Sequence, residues 1–226
     1  IDFSGLAIDS LAGHIRMKNA MIGFGKDRYP VALINITKHR ENFGKQNIDF
    51  NSDLLDFRLK GHFRLTTLGT AMGVFFNHYF PVLPKKNPTE TRQKGSVQIN
   101  LLLKKPEFIG EHFVYGLNIS PNTSFSALFN LKNRTLTADG NAKKIIFNKT
   151  EALDSRLRIR TKDNQLQMSY GIRHLILKDS TESDKTVFGL DSLQLKLRVR
   201  NDSLSYSLYW HNPDSVWVNK GILKGL

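Results

Sequence analysis

Apolar and polar residues alternate strictly along Gly189–Trp210, GLDSLQLKLRVRNDSLSYSLYW. Leu193, Leu195, Leu197 and Val199 take every second position, and Gln194, Lys196, Arg198 and Arg200 fill the places between. Period two sends successive side chains to opposite faces of a strand, so this stretch predicts one aliphatic face and one basic face. Asn201-Asp202-Ser203 supplies residues that tolerate the left-handed region and bond their own backbone, which is turn chemistry. The alternation resumes as Leu204, Tyr206, Leu208 and Trp210. The prediction is an antiparallel hairpin, dry on one side and wet on the other.

The same pattern recurs through the chain. Leu55–Leu65 (LDFRLKGHFRL) puts Leu55, Phe57, Leu59, Gly61, Phe63 and Leu65 on one face and Asp56, Arg58, Lys60, His62 and Arg64 on the other. Ile1–Met21 reads as two short strands around a turn at Asp9-Ser10, and Tyr29–Thr37 and the run ending at Ile48 and Phe50 follow as strands. Further strands are expected at Val97–Leu103, Phe108–Ile119, Ser124–Leu131, Thr135–Ala138, Lys143–Asn148, Leu153–Arg160, Leu166–Ile172, His174–Lys178 and Val216–Val218. Turn signals at this spacing predict an all-β array. An Asp-Ser pair precedes the first apolar residue of a segment at Asp9, Asp191, Asp202 and Asp214, as an Asx-turn feeding a strand would.

One stretch breaks the period. In Leu68–Phe80 the bulky residues Leu68, Met72, Phe75, Phe76, Tyr79 and Phe80 fall three and four apart, which predicts a short amphipathic helix. Thr66 or Thr67 is placed to cap it and Pro81 to end it. It is too short to span a bilayer. Pro84–Gly95 (PKKNPTETRQKG) has two prolines and no large apolar residue, and reads as a polar loop or linker.

Composition changes the picture in three ways. A 40% hydrophobic content with 15 Phe in 226 residues suits a sheet wetted on one side. The net charge of +13 raises nucleic acid and anionic surfaces as partners, but the cations stand at alternate strand positions, as in Arg156, Arg158 and Arg160, which reads as a solvated outer face. Stacking platforms for bases need aromatics and cations on one face. Here Phe57, Phe63, Tyr206 and Trp210 lie opposite the cations, so no nucleic-acid partner is expected. The absence of cysteine excludes disulfides and thiolate metal sites.

No catalytic motif emerges. The chain has no Gly-x-Ser-x-Gly elbow, His-Glu-x-x-His or phosphate-binding glycine loop, its seven histidines are scattered, and Asp49, Asp53 and Asp56 sit at a turn and on an outer face. The expectation is a non-enzyme with no cofactor and no metal. An apolar face this rich in Leu and Phe must be covered. On the residues alone a closed sandwich or barrel is its usual fate.

Four passages point elsewhere: IDFSGLAIDSLAGHIRMKNA, NIDFNSDLLDFRLKGHFRLTTL, the helix ending NHYFPVLP, and LKLRVRNDSLSYSLYWHNP. Their order resembles the AsmA-like superfamily, in particular its TamB-type translocation and assembly proteins. The resemblance implies a mainly β fold, a long curved antiparallel sheet folded into an open groove (a β-taco), with residues 1–226 as one continuous internal segment of a larger groove-shaped domain. It implies the periplasm of a Gram-negative bacterium, in an inner-membrane-anchored protein. Phospholipid acyl chains would pass between inner and outer membranes along the apolar lining and sustain outer-membrane integrity. That lining would comprise Phe57, Leu59, Phe63, Leu65, Val97, Ile99, Leu101, Leu157, Ile159, Leu166, Met168, Leu193, Leu195, Leu197, Val199, Leu204, Tyr206, Leu208 and Trp210. Any outer-membrane assembly partner would be met through regions outside this segment, while the segment's own sheet edges permit self-association. Two other readings stay open: a scaffold or chaperone for outer-membrane protein assembly through sheet edges, and a structural or carbohydrate-binding surface module.

Overall fold

The computed structural model describes residues 2–4, 8–24, 26–41, 44–80, 95–178, 186–200, 203–212 and 219–225. In chain order the elements are β1 (Asp2–Ser4), β2 (Ala12–Phe24), β3 (Asp27–Arg40), β4 (Gln46–Ser52), β5 (Leu55–Gly61), α1 (Leu65–Tyr79), β6 (Ser96–Leu103) and α2 (Glu107–His112). They continue as β7 (Leu117–Ile119), β8 (Thr123–Asn130), β9 (Thr135–Phe147), β10 (Thr150–Lys162), β11 (Gln165–Ile172), β12 (His174–Lys178), β13 (Thr186–Leu190), β14 (Ser192–Arg200), β15 (Ser203–Asn212) and β16 (Asn219–Gly225). The protein is mainly β, a single large antiparallel sheet that does not close on itself. Its strand order is β1-β2-β3-β4-β5-β6-β8-β9-β10-β11-β14-β15-β16, with β7 on β9 and β12–β13 branching from β10.

The chain divides into two compact units, Ile1–Lys104 with Phe125–Thr137, and Lys105–Ser124 with Ala138–Leu226. In the first, period-two alternation survives pairing across successive strands. Ile36 faces Phe50, Phe50 faces Phe57, and Phe57 faces Leu101. The next rung runs Lys38, Ile48, Leu59 and Ile99. Asp49 and Arg58, opposite each other on the other face, form an ion pair. Helix α1 covers the apolar side of β8: Phe75, 2% exposed, meets Phe129 edge-on with ring centroids 5.3 Å apart. The Tyr79 hydroxyl donates to the Arg134 carbonyl.

In the second unit, the β10–β11 turn is built by Asp163 and Asn164, both left-handed at φ 51° and 57°. Two successive residues in that region make a type I′ turn, whose twist suits a two-residue hairpin and fixes its register. Lys162 accordingly pairs with Gln165 and Ile159 with Met168. Hairpin β14–β15 pairs Arg200 with Ser203; Asn201 and Asp202 between them lie outside the described residues, as do the linker stretch 84–94, Asp214-Ser215 and the expected strand at 216–218.

Three expectations about strands are corrected. The separate strands expected at Thr135–Ala138 and Lys143–Asn148 are one strand, β9, because residues 139–142 stay extended instead of turning. The strand predicted over Leu55–Leu65 stops at Gly61, and α1 begins at Leu65. Gly61 has φ +147°, and a Cβ there would stand 2.0 Å from the Ser96 carbonyl oxygen, so the strand ends where only glycine fits. The strand predicted over Phe108–Ile119 is instead α2 followed by the short β7. Pro106 occupies its N-cap position and its carbonyl accepts the Ile109 N–H at 2.9 Å, which starts a turn that alternation did not forbid.

The start of α1 differs too. Arg64 is the N-cap residue and its side chain makes no capping bond. Asp9 does that work from 56 residues away: Oδ1 accepts the Leu65 N–H at 2.5 Å, and Oδ2 accepts the Thr66 hydroxyl at 2.6 Å. A carboxylate at a helix N-terminus satisfies orphan donors and meets the positive end of the dipole. The Thr66 hydroxyl bond, ahead of the Thr66 and Leu65 amides and the Lys38 charge, holds the Asp9 carboxyl below the ordinary carboxylate range against the opposing effect of desolvation.

Candidate functional site

The residues expected to line an apolar surface fall into two groups. In the second unit the register assembles twelve of them on four neighbouring strands, β10, β11, β14 and β15. Ile159, Met168, Leu197 and Tyr206 form one rung across the sheet. Leu157, Leu195 and Leu208 lie in the next, with Tyr170 between Leu157 and Leu195. Leu166, Val199 and Leu204 share a third, and Leu193 faces Trp210 across β14–β15. Side chains in directly opposed pairs lie about 5 Å apart, so these rungs make a continuous apolar strip.

Their burial is uneven. Leu166 and Val199 are buried, at 6% and 7% exposure. Leu157, Ile159, Met168, Leu193, Leu195, Leu197, Tyr206, Leu208 and Trp210 are half-buried, and Leu204 is 48% exposed. Lys196, Arg198 and Arg200, at the alternate positions of β14, are exposed. The strip and the cations therefore occupy opposite faces of the same strands.

In the first unit the expected residues split. Leu59, Phe63 and Val97 are core, at 6%, 5% and 0% exposure, whereas Phe57, Ile99 and Leu101 are half-buried on β5 and β6. Phe63 lies beyond the end of β5, where its carbonyl accepts the buried Gln46 amide at 2.8 Å. Leu65 is not on the strand at all but opens α1.

Polar groups enter this face where the strip was expected to be dry. Lys38 shares a rung with Ile48 and Leu59 and is 9% exposed, its ammonium donating to the carbonyls of Ile8 and Asp9. Burial lowers its pKa, partly offset by the Asp9 charge. Ser52, on the same face, is held in its own turn, accepting the Leu54 and Leu55 amides at 3.2 and 3.1 Å. Alternation through Gln165–Ile172 and Gln46–Ser52 carries the signal for the members that a pattern restricted to the longest runs passes over: Tyr170, Ile172, Ile48 and Phe50. Tyr170 brings a polar tip, its hydroxyl 3.1 Å from the buried Ser155 hydroxyl.

Several of the carboxylates are engaged structurally. Asp56 pairs with Lys104 at 2.6 Å, and Asp53 accepts the Leu33 amide at 3.5 Å. Glu151, 6% exposed, lies between Lys144 at 2.7 Å and Lys178 at 3.3 Å. The Lys144 hydrogen bond is the main influence holding its carboxyl below the ordinary range, against desolvation and together with Lys178. Among the described residues no group of three or more acidic or histidine side chains is arranged to hold a metal ion, and no helix is long and apolar enough to cross a membrane.

Comparison with protein-family models, with curated proteins and with solved structures returns no match.

Proposed function

We propose that the protein is a lipid-handling sheet, whose half-covered apolar strip on β10, β11, β14 and β15 accepts phospholipid acyl chains. The observation that carries this reading is the contrast within single strands. Leu193, Leu195 and Leu197 stay half-buried in a row whose neighbours are equally apolar, while the intervening Lys196 and Arg198 face water. Such a strip gains by covering its remaining apolar area, at about 25 cal/mol per Å². An acyl chain is long, narrow and without polar groups, as the strip requires, and the headgroup stays in water at its margin. No covalent step is involved.

The resemblance to TamB-type members of the AsmA-like superfamily supports the same reading and supplies its setting. There, the sheet curves into an open groove, one segment of a longer periplasmic conduit between the membranes of a Gram-negative envelope. The buried Lys38 and Gln46 rungs argue that lipid does not use the whole apolar face, and that the first unit contributes chiefly Phe57, Ile99 and Leu101. The test is to purify the chain from a Gram-negative periplasm, extract it with organic solvent and analyse the extract by mass spectrometry. Phospholipid in near-stoichiometric amount is expected. Folded protein free of lipid removes the proposal. It would leave the scaffold reading, in which the terminal strands of the sheet, β1 and β16, act through their edges.

A further inference from the structure

The face opposite the apolar strip has its own organisation. Register places Arg156, Arg158 and Arg160 in a column on β10 and Lys196, Arg198 and Arg200 in a second column on β14. Between them, β11 presents only Gln167, Ser169 and Gly171 to this face, opposite Arg160, Arg158 and Arg156 respectively. Two strand spacings separate the columns by about 10 Å, and alternate residues repeat the charge about every 7 Å along each. The result is a neutral trough walled by cations on both sides.

Few carboxylates quench it. Asp139 engages Arg160 at 2.7 Å and Arg158 at 3.5 Å, and Asp154 approaches Arg173 at 3.6 Å. Among the described residues Arg156, Arg198 and Arg200 have no ion pair, and Lys196 lies over the Tyr209 ring at 5.2 Å. At the Arg156 end the trough opens into a depression of about 590 Å³ whose lining includes Lys143, Arg156, Arg158, Ser169 and Gly171 together with the carboxylates of Asp139 and Asp154. Gly171 forms part of its floor, and a Cβ there would meet open space.

We infer that this face binds an acidic polysaccharide, a chain of sugars carrying carboxylate, sulfate or phosphate groups, laid along β11. Cations on two walls neutralise a ligand about one sugar wide from both sides, which a flat bilayer surface cannot exploit. The floor offers amide and hydroxyl groups that pair with sugar hydroxyls. Single-stranded nucleic acid would need aromatic rings free for stacking on this face, and the Tyr209 ring there already lies under Lys196. The depression has the volume of a small-molecule site and would seat one or two sugar rings.

The probe is a fluorescently labelled heparin octasaccharide, titrated by anisotropy into the whole chain at low salt. Arg156→Gln with Arg198→Gln removes one unpaired cation from each wall, and is expected to weaken binding about tenfold and to flatten its salt dependence. Arg16→Gln with Lys18→Gln lowers net charge equally at exposed positions of β2 and should change binding less than about twofold on the same electrostatic grounds. Thermal melts confirm that both double variants remain folded. Absent binding, or equal losses in the two double variants, overturns the inference and leaves only diffuse attraction to a basic protein. So does tighter binding to oligo(dT) or to phosphatidylglycerol vesicles that depends on Arg156 and Arg198, which would make the partner nucleic acid or membrane instead.

Discussion

The two units use the same alternating code to different ends. In the first, apolar side chains build a protein core: Val31, Ile34, Leu59, Val97, Phe129 and Leu136 are all buried, and α1 adds Phe75 and Tyr79. In the second, three of the buried apolar residues are the small Ala138, Ala142 and Ala152, while most of the large side chains of β14 and β15 keep part of their surface in water. Strand periodicity specifies which face is apolar but not what covers it. A helix is available to the first unit because the chain leaves the sheet after Gly61 and is captured by Asp9. The longer runs of the second unit, such as Ser192–Arg200, contain no such departure.

A buried charge probes this difference most severely. Phe75→Asp puts a carboxylate among Phe76, Tyr79 and Phe129 and should cost about 4 kcal/mol or more, enough to abolish a cooperative urea transition in this unit. Leu197→Asp should cost only about 1–2 kcal/mol, because its carboxylate remains partly hydrated. Equal losses would mean that the strip in the second unit is as sealed as the core of the first.

The next largest effect tests how the second unit is held without a large core. Glu151→Ala leaves Lys144 and Lys178 facing each other at a buried site, and a loss of about 1–3 kcal/mol is expected by urea denaturation, moderated because both lysines are partly exposed. Since the folded Glu151 carboxyl titrates below its ordinary range, its contribution is complete above the unfolded pKa and is lost as pH falls through the folded one. Melting curves of the wild type and Glu151→Ala should therefore draw together progressively as pH falls below about 4. A difference that persists undiminished there would deny the ion pairs their role.

A smaller effect belongs to the first unit. Asp9→Ala removes the distant cap of α1 and should lower stability by about 1 kcal/mol at neutral pH. The Asp9 carboxyl is also held low, so this loss too should fade as acid protonates the wild-type group. The smallest effect is that of Arg198→Asp on the exposed face, within about 0.5 kcal/mol of wild type.

How far the fold was legible follows from the same residues. Leu193–Val199 and Leu204–Trp210 announced both their strands and their facing because every second residue agreed, and the β10–β11 hairpin was marked by left-handed formers at Asp163 and Asn164. Phe63 and Leu65 kept the parity of β5 and so concealed the end of the strand, which depends on the closeness of Ser96 to Gly61 and on a carboxylate 56 residues away. Neither contact leaves a local trace. Phe108–Ile119 was rich enough in apolar residues for a strand, yet lacked strict alternation, and a proline-started turn prevailed over it. The apolar strip was readable as a face; its partial cover, and the intrusion of Lys38 into the equivalent face of the first unit, arise only from pairing.

The central claim is that the half-covered strip of the second unit holds acyl chains. It is tested most directly by measuring phospholipid bound to folded protein in Leu197→Asp, Leu208→Asp and Arg198→Asp, each made in the full chain and purified identically. Leu197 and Leu208 belong to the strip, on β14 and β15, whereas Arg198 points to the opposite face of β14. Loss of most bound phospholipid in the first two, with wild-type occupancy in Arg198→Asp, is the predicted result. Wild-type lipid occupancy in folded Leu197→Asp protein would contradict it.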